Sequence, residues 1–273
     1  MPSGSGRART RLDVELVERG LAETRSKAQR LVMAGQVRID GEVALKPSQL
    51  VDRGSAVEVA AGPRYVSRGG EKLEAALAGF SLSVHEAVCA DVGASTGGFT
   101  DCLLQHGAAR VYAIDVGRGI LHWKLRTDER VVLMEGVNAR HLSALPEPVS
   151  IVVIDAAFIS LRNLLPVVAG WVTQDGEVVA LVKPQFEAGK DAVGRSGVVR
   201  DPEIHRKVLL GVAAAAQAAG LGPRAILRSP LLGPKGNAEF LLYCRKGAPA
   251  ADLPVGSVVE PSRSAPDPEV NEG

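Results

Sequence analysis

The sequence predicts an α/β protein in which a small α+β domain precedes a larger domain with a mainly parallel β-sheet. Apolar residues make up 46% of the 273 residues and aromatic residues only 4%, so the core must consist mostly of Val, Leu, Ala and Ile. That composition is typical of parallel sheets covered by helices. From Cys89 onward, apolar segments of strand length alternate with helical patterns, and the first of them ends in a glycine-rich turn.

The length accommodates one domain of ordinary size and a smaller companion. The three cysteines have neither metal-ligand spacing nor the pattern of a disulfide framework, and we find no apolar signal segment and no run of 18 apolar residues. We therefore expect a cytoplasmic protein without a metal site or a membrane span, and nothing indicates an obligate protein partner. The net charge of +1 combines an acidic segment after Ala250 with a mildly basic remainder, which is compatible with a nucleic-acid partner.

Two short helices and a hairpin are predicted for the small domain, residues 10–60. Thr10 can cap the first helix and Thr24 the second, because a threonine hydroxyl accepts a hydrogen bond from a free N–H of the first turn. Alternating apolar residues then flank Asp40-Gly41, a typical two-residue hairpin turn.

Basic residues surround this small unit, and on charge alone a solvated helix face explains them as well as a nucleic-acid surface does. The stretch from Arg11 to Val59 nevertheless resembles an S4 domain, a module that docks a basic helical face onto structured RNA; the resemblance rests on Arg25-Ser26-Lys27-Ala28-Gln29-Arg30-Leu31-Val32 and Gly35-Gln36-Val37-Arg38-Ile39-Asp40-Gly41. It implies contacts to RNA phosphates. The predicted RNA-binding residues are Arg7, Arg11, Arg25, Lys27, Arg30 and, from the following domain, Arg68.

Composition sets the remaining boundaries. Residues 61–66 are assigned to a linker that includes Gly62-Pro63, and residues 67–247 to the larger domain. Residues 1–9, rich in small residues and arginine, are expected to form a flexible tail. Residues 248–273, rich in Pro, Ser and acids, are expected to be disordered.

Lys72 lies in the first turn of the helix predicted after Gly69-Gly70. A lysine at that end of a helix opposes the helix dipole, which suggests a use other than helix stability. An exposed lysine without a function is the alternative.

The glycine-rich turn from Gly93 to Gly98 is typical of a nucleotide-cofactor loop, since glycines allow close approach of the backbone and the next helix presents free N–H groups. The dinucleotide spacing G-x-G-x-x-G is absent, and the acid Asp91 beside the loop suits a positively charged ligand such as S-adenosylmethionine. The predicted cofactor residues are Asp91, Gly93, Ser95, Thr96, Gly97, Gly98, Phe99 and, for the ribose hydroxyls, Asp115.

The strands predicted after this loop are Val111 to Ile114, Val131 to Met134, Ile151 to Ile154, Glu177 to Val182, Arg224 to Arg228 and Phe240 to Cys244. Asp201 is expected to cap a long helix with Pro202 at its first position. Asp91, Asp115, Asp155 and Lys183 each lie at the C-terminal end of an apolar strand. In an open parallel sheet those ends meet at one ligand-binding crevice, although each residue taken singly could serve only to cap the next helix.

The whole chain resembles the TlyA, or hemolysin A, family of ribosomal RNA 2′-O-methyltransferases, in which an S4 domain precedes a Rossmann-like, FtsJ-like catalytic domain. The resemblance runs from about Arg11 to Lys246 and rests on Ser67-Arg68-Gly69-Gly70-Glu71-Lys72-Leu73, Asp91-Val92-Gly93-Ala94-Ser95-Thr96-Gly97-Gly98-Phe99-Thr100-Asp101, Val182-Lys183-Pro184-Gln185-Phe186-Glu187, Gly197-Val198-Val199-Arg200-Asp201 and Gly236-Asn237-Ala238-Glu239-Phe240. It implies S-adenosylmethionine as cofactor, a cytidine ribose in 16S or 23S rRNA of ribosomal subunits as substrate, and a catalytic set formed by Lys72, Asp155, Lys183 and Glu239. The resemblance also implies that Asn138 binds the cofactor at the adenine position, where methyltransferases often carry an acid instead.

Two other functions are compatible with parts of the sequence. Gly93-Ala94-Ser95-Thr96-Gly97 matches the nucleophile elbow of α/β hydrolases, which would use Ser95 with a later histidine, either His141 or His205. A non-catalytic RNA-binding or haemolytic protein is the second alternative, and membrane activity would require a long apolar or amphipathic segment.

Overall fold

A computed structural model of the chain describes residues 9–60, 62–189, 192–194 and 197–260. The chain divides into two compact units between Arg64 and Tyr65, inside the predicted linker. Tyr65 itself is buried in the core of the second unit, so the larger domain begins earlier than residue 67.

In its described part, residues 9–60 and 62–64, the first unit contains two helices and five short strands. The helices are α1 (Leu12–Glu18) and α2 (Arg25–Met33), and the strands are β1 (Arg9–Arg11), β2 (Val37–Ile39), β3 (Glu42–Val43), β4 (Leu50–Asp52) and β5 (Val57–Val59). β1 pairs with β4, and β2 lies between β3 and β5, all antiparallel. Leu12, Leu16, Ala28 and Val37 are fully buried and form the centre of its apolar core.

Three local features of this unit were predicted from the sequence, two helix caps and one hairpin turn, and the structure confirms two of them. Thr24 caps α2 by accepting from the N–H of Lys27, and Asp40 and Gly41 have the positive φ angles, 50° and 87°, that a two-residue hairpin turn requires. The prediction that Thr10 caps the first helix was wrong. Thr10 is extended in β1, and the free N–H groups of Leu12 and Asp13 donate instead to backbone carbonyls near β4, so no side-chain cap is needed.

The second unit contains seven helices and seven strands among its described residues. The helices are α3 (Gly69–Gly79), α4 (Gly98–Gln105), α5 (Trp123–Arg126), α6 (Leu161–Ala169), α7 (Pro184–Glu187), α8 (Pro202–Ala218) and α9 (Val255–Val259), with a 3-10 turn at Ala139–His141. The strands are β6 (Val88–Val92), β7 (Arg110–Asp115), β8 (Val131–Glu135), β9 (Val149–Ile154), β10 (Val172–Val182), β11 (Leu221–Arg228) and β12 (Phe240–Lys246).

These seven strands form one sheet in the order β11-β12-β10-β9-β6-β7-β8. The pairs from β8 across to β10 are parallel, and β12 is antiparallel to both of its neighbours. β6 lies between β9 and β7, so the chain order reverses there, and the crevice at such a switch point is where ligands bind in α/β sheets. The predicted α/β class and parallel sheet are confirmed.

Both faces of the sheet are covered. One apolar cluster includes Trp171 and Phe240 and extends to α6, α8 and α9; the other joins the opposite face to α3 and α4. Asp201 caps α8 by accepting from the N–H of Glu203, with Pro202 at the first helical position as predicted.

The expectation of disorder from residue 248 onward was wrong for residues 248–260. α9 forms there and buries Val255 and Val259 against the core, because these two residues are one helical turn apart and share a face. Residues 1–8 and 261–273 lie outside the described residues.

Candidate active site

A cavity of about 320 Å³ lies at the carboxyl end of the sheet, against the glycine-rich turn. Three of the four predicted catalytic residues, Lys72, Asp155 and Lys183, line it, and the fourth, Glu239, contacts Lys72. Its other lining residues include Ser67, Arg68, Gly93, Ser95, Thr96, Gly98, Phe99 and Leu232.

The four charged residues form two ion pairs. Nζ of Lys183 lies 2.5 Å from Oδ1 of Asp155, and Nζ of Lys72 lies 2.5 Å from Oε2 of Glu239. Asp155 directly follows β9 and Lys183 directly follows β10, so the parallel pairing of these strands brings them together. Lys72 comes from the first turns of α3 and Glu239 immediately precedes β12.

Close backbone packing places Lys72 beside the glycine-rich turn. A Cβ atom on Gly98, the first residue of α4, would lie 2.3 Å from Oγ of Ser67 and 2.9 Å from the backbone nitrogen of Gly70. Only glycine therefore lets the start of α4 approach the start of α3 this closely. Lys72 lies two residues beyond Gly70 and depends on that approach.

The turn itself requires glycine for a second reason. Gly93 and Gly97 have φ angles of 85° and 99°, in the left-handed region that favours glycine. A Cβ atom on Gly93 would also lie 2.7 Å from the carbonyl oxygen of Asp155. Five residues of this turn, which we name the glycine cradle, line the 320 Å³ cavity: Gly93, Ala94, Ser95, Thr96 and Gly98.

Asp91 is a fully buried carboxylate at the end of β6. Its Oδ2 accepts from Oγ1 of Thr100 at 2.7 Å, whereas its Oδ1 has no partner among the described residues. Burial raises the pKa of Asp91 to about 7, opposed by the Thr100 hydrogen bond and reinforced by the charge of Asp155. A buried, unpartnered acceptor beside a glycine cradle fits a ligand that brings a positive charge or hydrogen-bond donors.

Asp115 is fixed at the end of β7 by two backbone groups. Its Oδ2 accepts from the N–H of Ser95 at 2.8 Å and its Oδ1 from the N–H of Gly117 at 2.7 Å. Each carboxylate oxygen keeps a second lone pair, which is what two adjacent ribose hydroxyls would need.

A second cavity, of about 240 Å³, adjoins the first and is lined by Asp115, Asn138 and apolar residues that include Val116, Ile159 and Leu164. Asn138 accepts from the N–H of Arg140 through its side-chain oxygen, so its amide N–H groups remain available as donors. The two cavities share Gly93, Ser95, Asp155 and Ala157, so one elongated molecule can extend through both.

Two aromatic residues and a buried acid beside the site were not predicted. Phe158 is 91% exposed with a φ of 62°, and its ring lies 5.2 Å from that of Phe186. Nζ of Lys183 lies 5.9 Å from the centre of the Phe186 ring. Glu187 is buried against Ser160 and Leu161. The motif from Lys183 to Glu187 contained two of these residues, but nothing in the sequence pairs them with residues after β9.

The predicted RNA-binding residues fall into three groups. Arg11 and Arg25 both bond to Asp13, which is buried and lies on α1. Lys27 and Arg30 are exposed on α2. Arg68 belongs to the second unit and lines the 320 Å³ cavity, and Arg7 lies outside the described residues.

The structure does not favour the two alternative functions. Within the described ranges no histidine bonds to the hydroxyl of Ser95, and His205 instead contacts the carbonyl of Val199 at 3.0 Å inside the core. No helix in the described part of the chain is long and apolar enough to cross a membrane. The residues the structure describes also contain no group of three or more His, Cys, Asp or Glu side chains that could hold a metal ion.

Both units match known domains. Residues 10–57 match the S4 domain, and residues 65–246 match the FtsJ-like methyltransferase family. The "16S/23S rRNA (cytidine-2′-O)-methyltransferase TlyA" of Mycobacterium tuberculosis is 48% identical over 241 residues, covering 87% of this chain and 90% of the relative. "Hemolysin A" of Brachyspira hyodysenteriae is 40% identical over 238 residues, covering 85% of this chain and 98% of the relative.

A solved structure of a Streptococcus thermophilus protein described as a hemolysin has a TM-score of 0.71 and 45% identity, covering 93% of this chain and 95% of that one. The matched catalytic domain defines the chain as a methyltransferase. The chain belongs to the FtsJ-like methyltransferases and, with its S4 domain, to the TlyA or hemolysin A family.

Proposed function

We propose that this chain methylates the 2′-hydroxyl of a cytidine in 16S or 23S ribosomal RNA, with S-adenosylmethionine as methyl donor. The single observation that carries the proposal is the pair of lysine–carboxylate contacts, Lys183 with Asp155 and Lys72 with Glu239, beside the glycine cradle. The named M. tuberculosis relative supports the choice of nucleotide. Since ribosomal subunits occupy the cytoplasm, we place the reaction there.

The residues lining the two cavities fit the proposed cofactor. Asp115 would bind the ribose hydroxyls and Asn138 would contact the adenine. Asp91 lines neither cavity, and its buried, orphaned oxygen would act on the positively charged part of the ligand from beneath the turn. Gly93 and Gly98 line the 320 Å³ cavity, whereas Gly97 lines neither cavity and packs the turn against Leu121 and Leu125. When bound, the cofactor supplies a methyl group already activated by its sulfonium.

The protein must therefore mainly align the ribose hydroxyl and remove its proton. We assign proton removal to Nζ of Lys183, which must first give up the proton of its ion pair with Asp155 to act as a base. Asp155 then stabilises the ammonium ion that forms again when the hydroxyl proton arrives. Lys72, fixed by Glu239, contributes a positive charge at the same cavity, which stabilises negative charge developing on the ribose oxygen.

The S4 unit would deliver the RNA. Arg11, Arg25, Lys27 and Arg30 are assigned to phosphate contacts, since double-stranded RNA is recognised mainly through its shape and backbone. Arg68 is positioned to contact RNA at the catalytic cavity. No base-specific contact is required of the S4 residues.

The test is incubation with radiolabelled S-adenosylmethionine and unmodified small or large ribosomal subunits. Wild-type protein should label rRNA at a site that resists alkaline cleavage and yields 2′-O-methylcytidine on digestion. Lys183→Ala should abolish labelling while calorimetry shows unchanged cofactor binding, whereas Lys207→Ala, which removes an exposed lysine on α8, should retain activity. Loss of cofactor binding in Lys183→Ala would contradict the assigned role, and labelled bases instead of ribose would contradict the proposed reaction.

A further inference from the structure

Glu187 is a buried carboxylate that the methyl transfer described above does not use. Its side chain is 2% exposed, and both of its oxygens are bonded. Oε2 accepts from the hydroxyl of Ser160 and Oε1 from the N–H of Leu161, each at 2.7 Å. Nε of Arg162 lies 3.9 Å away. The charge thus sits at the N-terminus of α6, where the helix dipole favours an anion.

These contacts join two segments that each carry a proposed catalytic residue. The β9 arm, residues 155–160, begins with Asp155, and the β10 arm, residues 183–187, begins with Lys183. The two arms leave neighbouring parallel strands and touch at three levels. Asp155 and Lys183 pair at the base, the rings of Phe158 and Phe186 meet in the middle, and Ser160 and Leu161 bond to Glu187 at the far end.

The two arms differ in how much regular structure they have. The β10 arm contains only the four-residue helix α7, and the β9 arm is irregular, with Phe158 at positive φ. Backbone hydrogen bonds hold the first residue of each arm, from the N–H of Phe186 to the carbonyl of Lys183 and from the N–H of Asp155 to the carbonyl of Val92. Among the described residues, none of these backbone bonds joins one arm to the other. Among the described residues, the hydrogen bonds that join the β10 arm to Ser160 and Leu161 are the two that Glu187 accepts.

We propose that Glu187 is a positioning residue that holds the β10 arm against the β9 arm and so keeps Nζ of Lys183 at its place beside Asp155. This inference rests on the proposed methyl transfer for its kinetic consequence, but not for the contact itself. Displacement of a catalytic group by about 1 Å can cost roughly 100-fold in rate. Loss of Glu187 should therefore lower kcat. It should lower the affinity for the cofactor by less, because Asp115 and the glycine-rich turn follow β7 and β6, although residues of the β9 arm also line the second cavity.

Glu187→Ala in the full chain removes both hydrogen bonds, and we expect kcat to fall about 10- to 100-fold. KM for RNA should change little, and the Kd for S-adenosylmethionine should rise by a smaller factor than kcat falls. Glu187→Gln should restore most of the activity, since its amide oxygen can accept from the N–H of Leu161 and its NH₂ can donate to the hydroxyl of Ser160. Rescue by glutamine is not expected if the negative charge acts in the chemistry. Asp201→Ala, which removes a carboxylate from the N-terminus of α8, is the matched control and should retain kcat.

Hydrogen exchange tests whether Glu187 holds the two arms together, and this measurement does not depend on methyl transfer. In Glu187→Ala, peptides covering residues 155–161 and 183–188 should exchange faster than in the wild type, while peptides of β6 and α4 should not. Unchanged exchange in both arms, or wild-type kcat in Glu187→Ala, would overturn the inference. So would equal losses of kcat and cofactor affinity, which would indicate a general folding role. If the wild type fails to methylate rRNA, the proposed function fails, and the exchange data still decide whether Glu187 ties the arms.

Discussion

Lys72 and Glu239 lie 167 residues apart in the chain, yet Nζ of the lysine lies 2.5 Å from Oε2 of the glutamate. The glutamate side chain is 1% exposed and the lysine side chain 11% exposed. Oε1 of Glu239 has no partner among the described residues. The pair therefore links α3 to the start of β12 and fixes an ammonium group at the catalytic cavity.

Glu239→Gln should destabilise the protein by roughly 3 kcal/mol, because it leaves the buried ammonium of Lys72 without a counterion. Chemical denaturation gives the free energy of unfolding. Glu203→Gln, a change at an exposed glutamate of α8, is the control and should alter stability by less than about 0.5 kcal/mol. The double variant Lys72→Met/Glu239→Gln should recover part of the loss, and a fully stable single variant would show that the pair contributes no net stability.

Asp91 predicts a pH dependence of folding stability. Its pKa is raised from 3.8 to about 7 by burial, so between these values the folded state holds a proton that the unfolded state has released. The stabilising contribution is therefore complete below about pH 4 and is lost as the pH rises towards 7. Denaturation of the ligand-free protein should show this slope, and Asp91→Asn should remove it.

The same group predicts a pH dependence of cofactor binding. A positively charged ligand facing Asp91 favours the ionised carboxylate, so binding below pH 7 should release a proton. Affinity for S-adenosylmethionine should increase between about pH 6 and pH 7 and level off above. Calorimetry at pH 6.5 in two buffers of different ionisation enthalpy measures the proton release. Binding without proton release would show that the ligand does not interact with Asp91.

Asp13 should control the RNA affinity of the S4 unit through its arginines. It accepts from Nε and Nη2 of Arg11, from Nε of Arg25 and from Gln29, and these bonds hold its pKa well below the usual range. The carboxylate thus stays ionised at assay pH. Among the residues that the structure describes, Arg25 bonds through Nε alone, so both of its terminal nitrogens remain available to a phosphate.

Asp13→Asn should therefore weaken binding to rRNA and reduce the slope of log K against log[salt] by about one to two, as expected when one or two phosphate contacts are lost. Filter binding at several salt concentrations measures this slope. Glu58→Gln, at an exposed position of β5, is the matched control. A weaker affinity with an unchanged slope would indicate unfolding of the unit instead of misplaced arginines.

The sequence predicted those features that depend on neighbouring residues or on one topological rule. Asp155 and Lys183 follow apolar strands, and a parallel sheet necessarily brings such residues to one edge. Thr10 shows the limit of this reasoning, since its threonine was a good capping signal but strand pairing with residues near position 50 supplied the acceptors instead. Phe158 could not be recognised either, because an aromatic residue after a strand normally indicates core, whereas here it is exposed.

Gly98→Ala tests the close packing that places Lys72. The added methyl group would lie 2.9 Å from the backbone nitrogen of Gly70 and 3.1 Å from Cα of Gly69, so the first turn of α3 must move even if the hydroxyl of Ser67 rotates away. We expect a loss of about 1–3 kcal/mol in unfolding free energy, typical of overpacking. Methyl transfer should fall by more than that destabilisation explains, since Lys72 moves with the turn.

Gly256→Ala is the matched control for this change, because a Cβ atom there meets nothing within 4 Å and α9 carries no site residue. It should leave stability and activity near wild-type values. Denaturation curves and single-turnover methylation assays, run well below the melting temperature of each variant, separate the two effects. If Gly98→Ala keeps full activity, α3 can shift without displacing Lys72, and the glycine contact is then a requirement of folding alone.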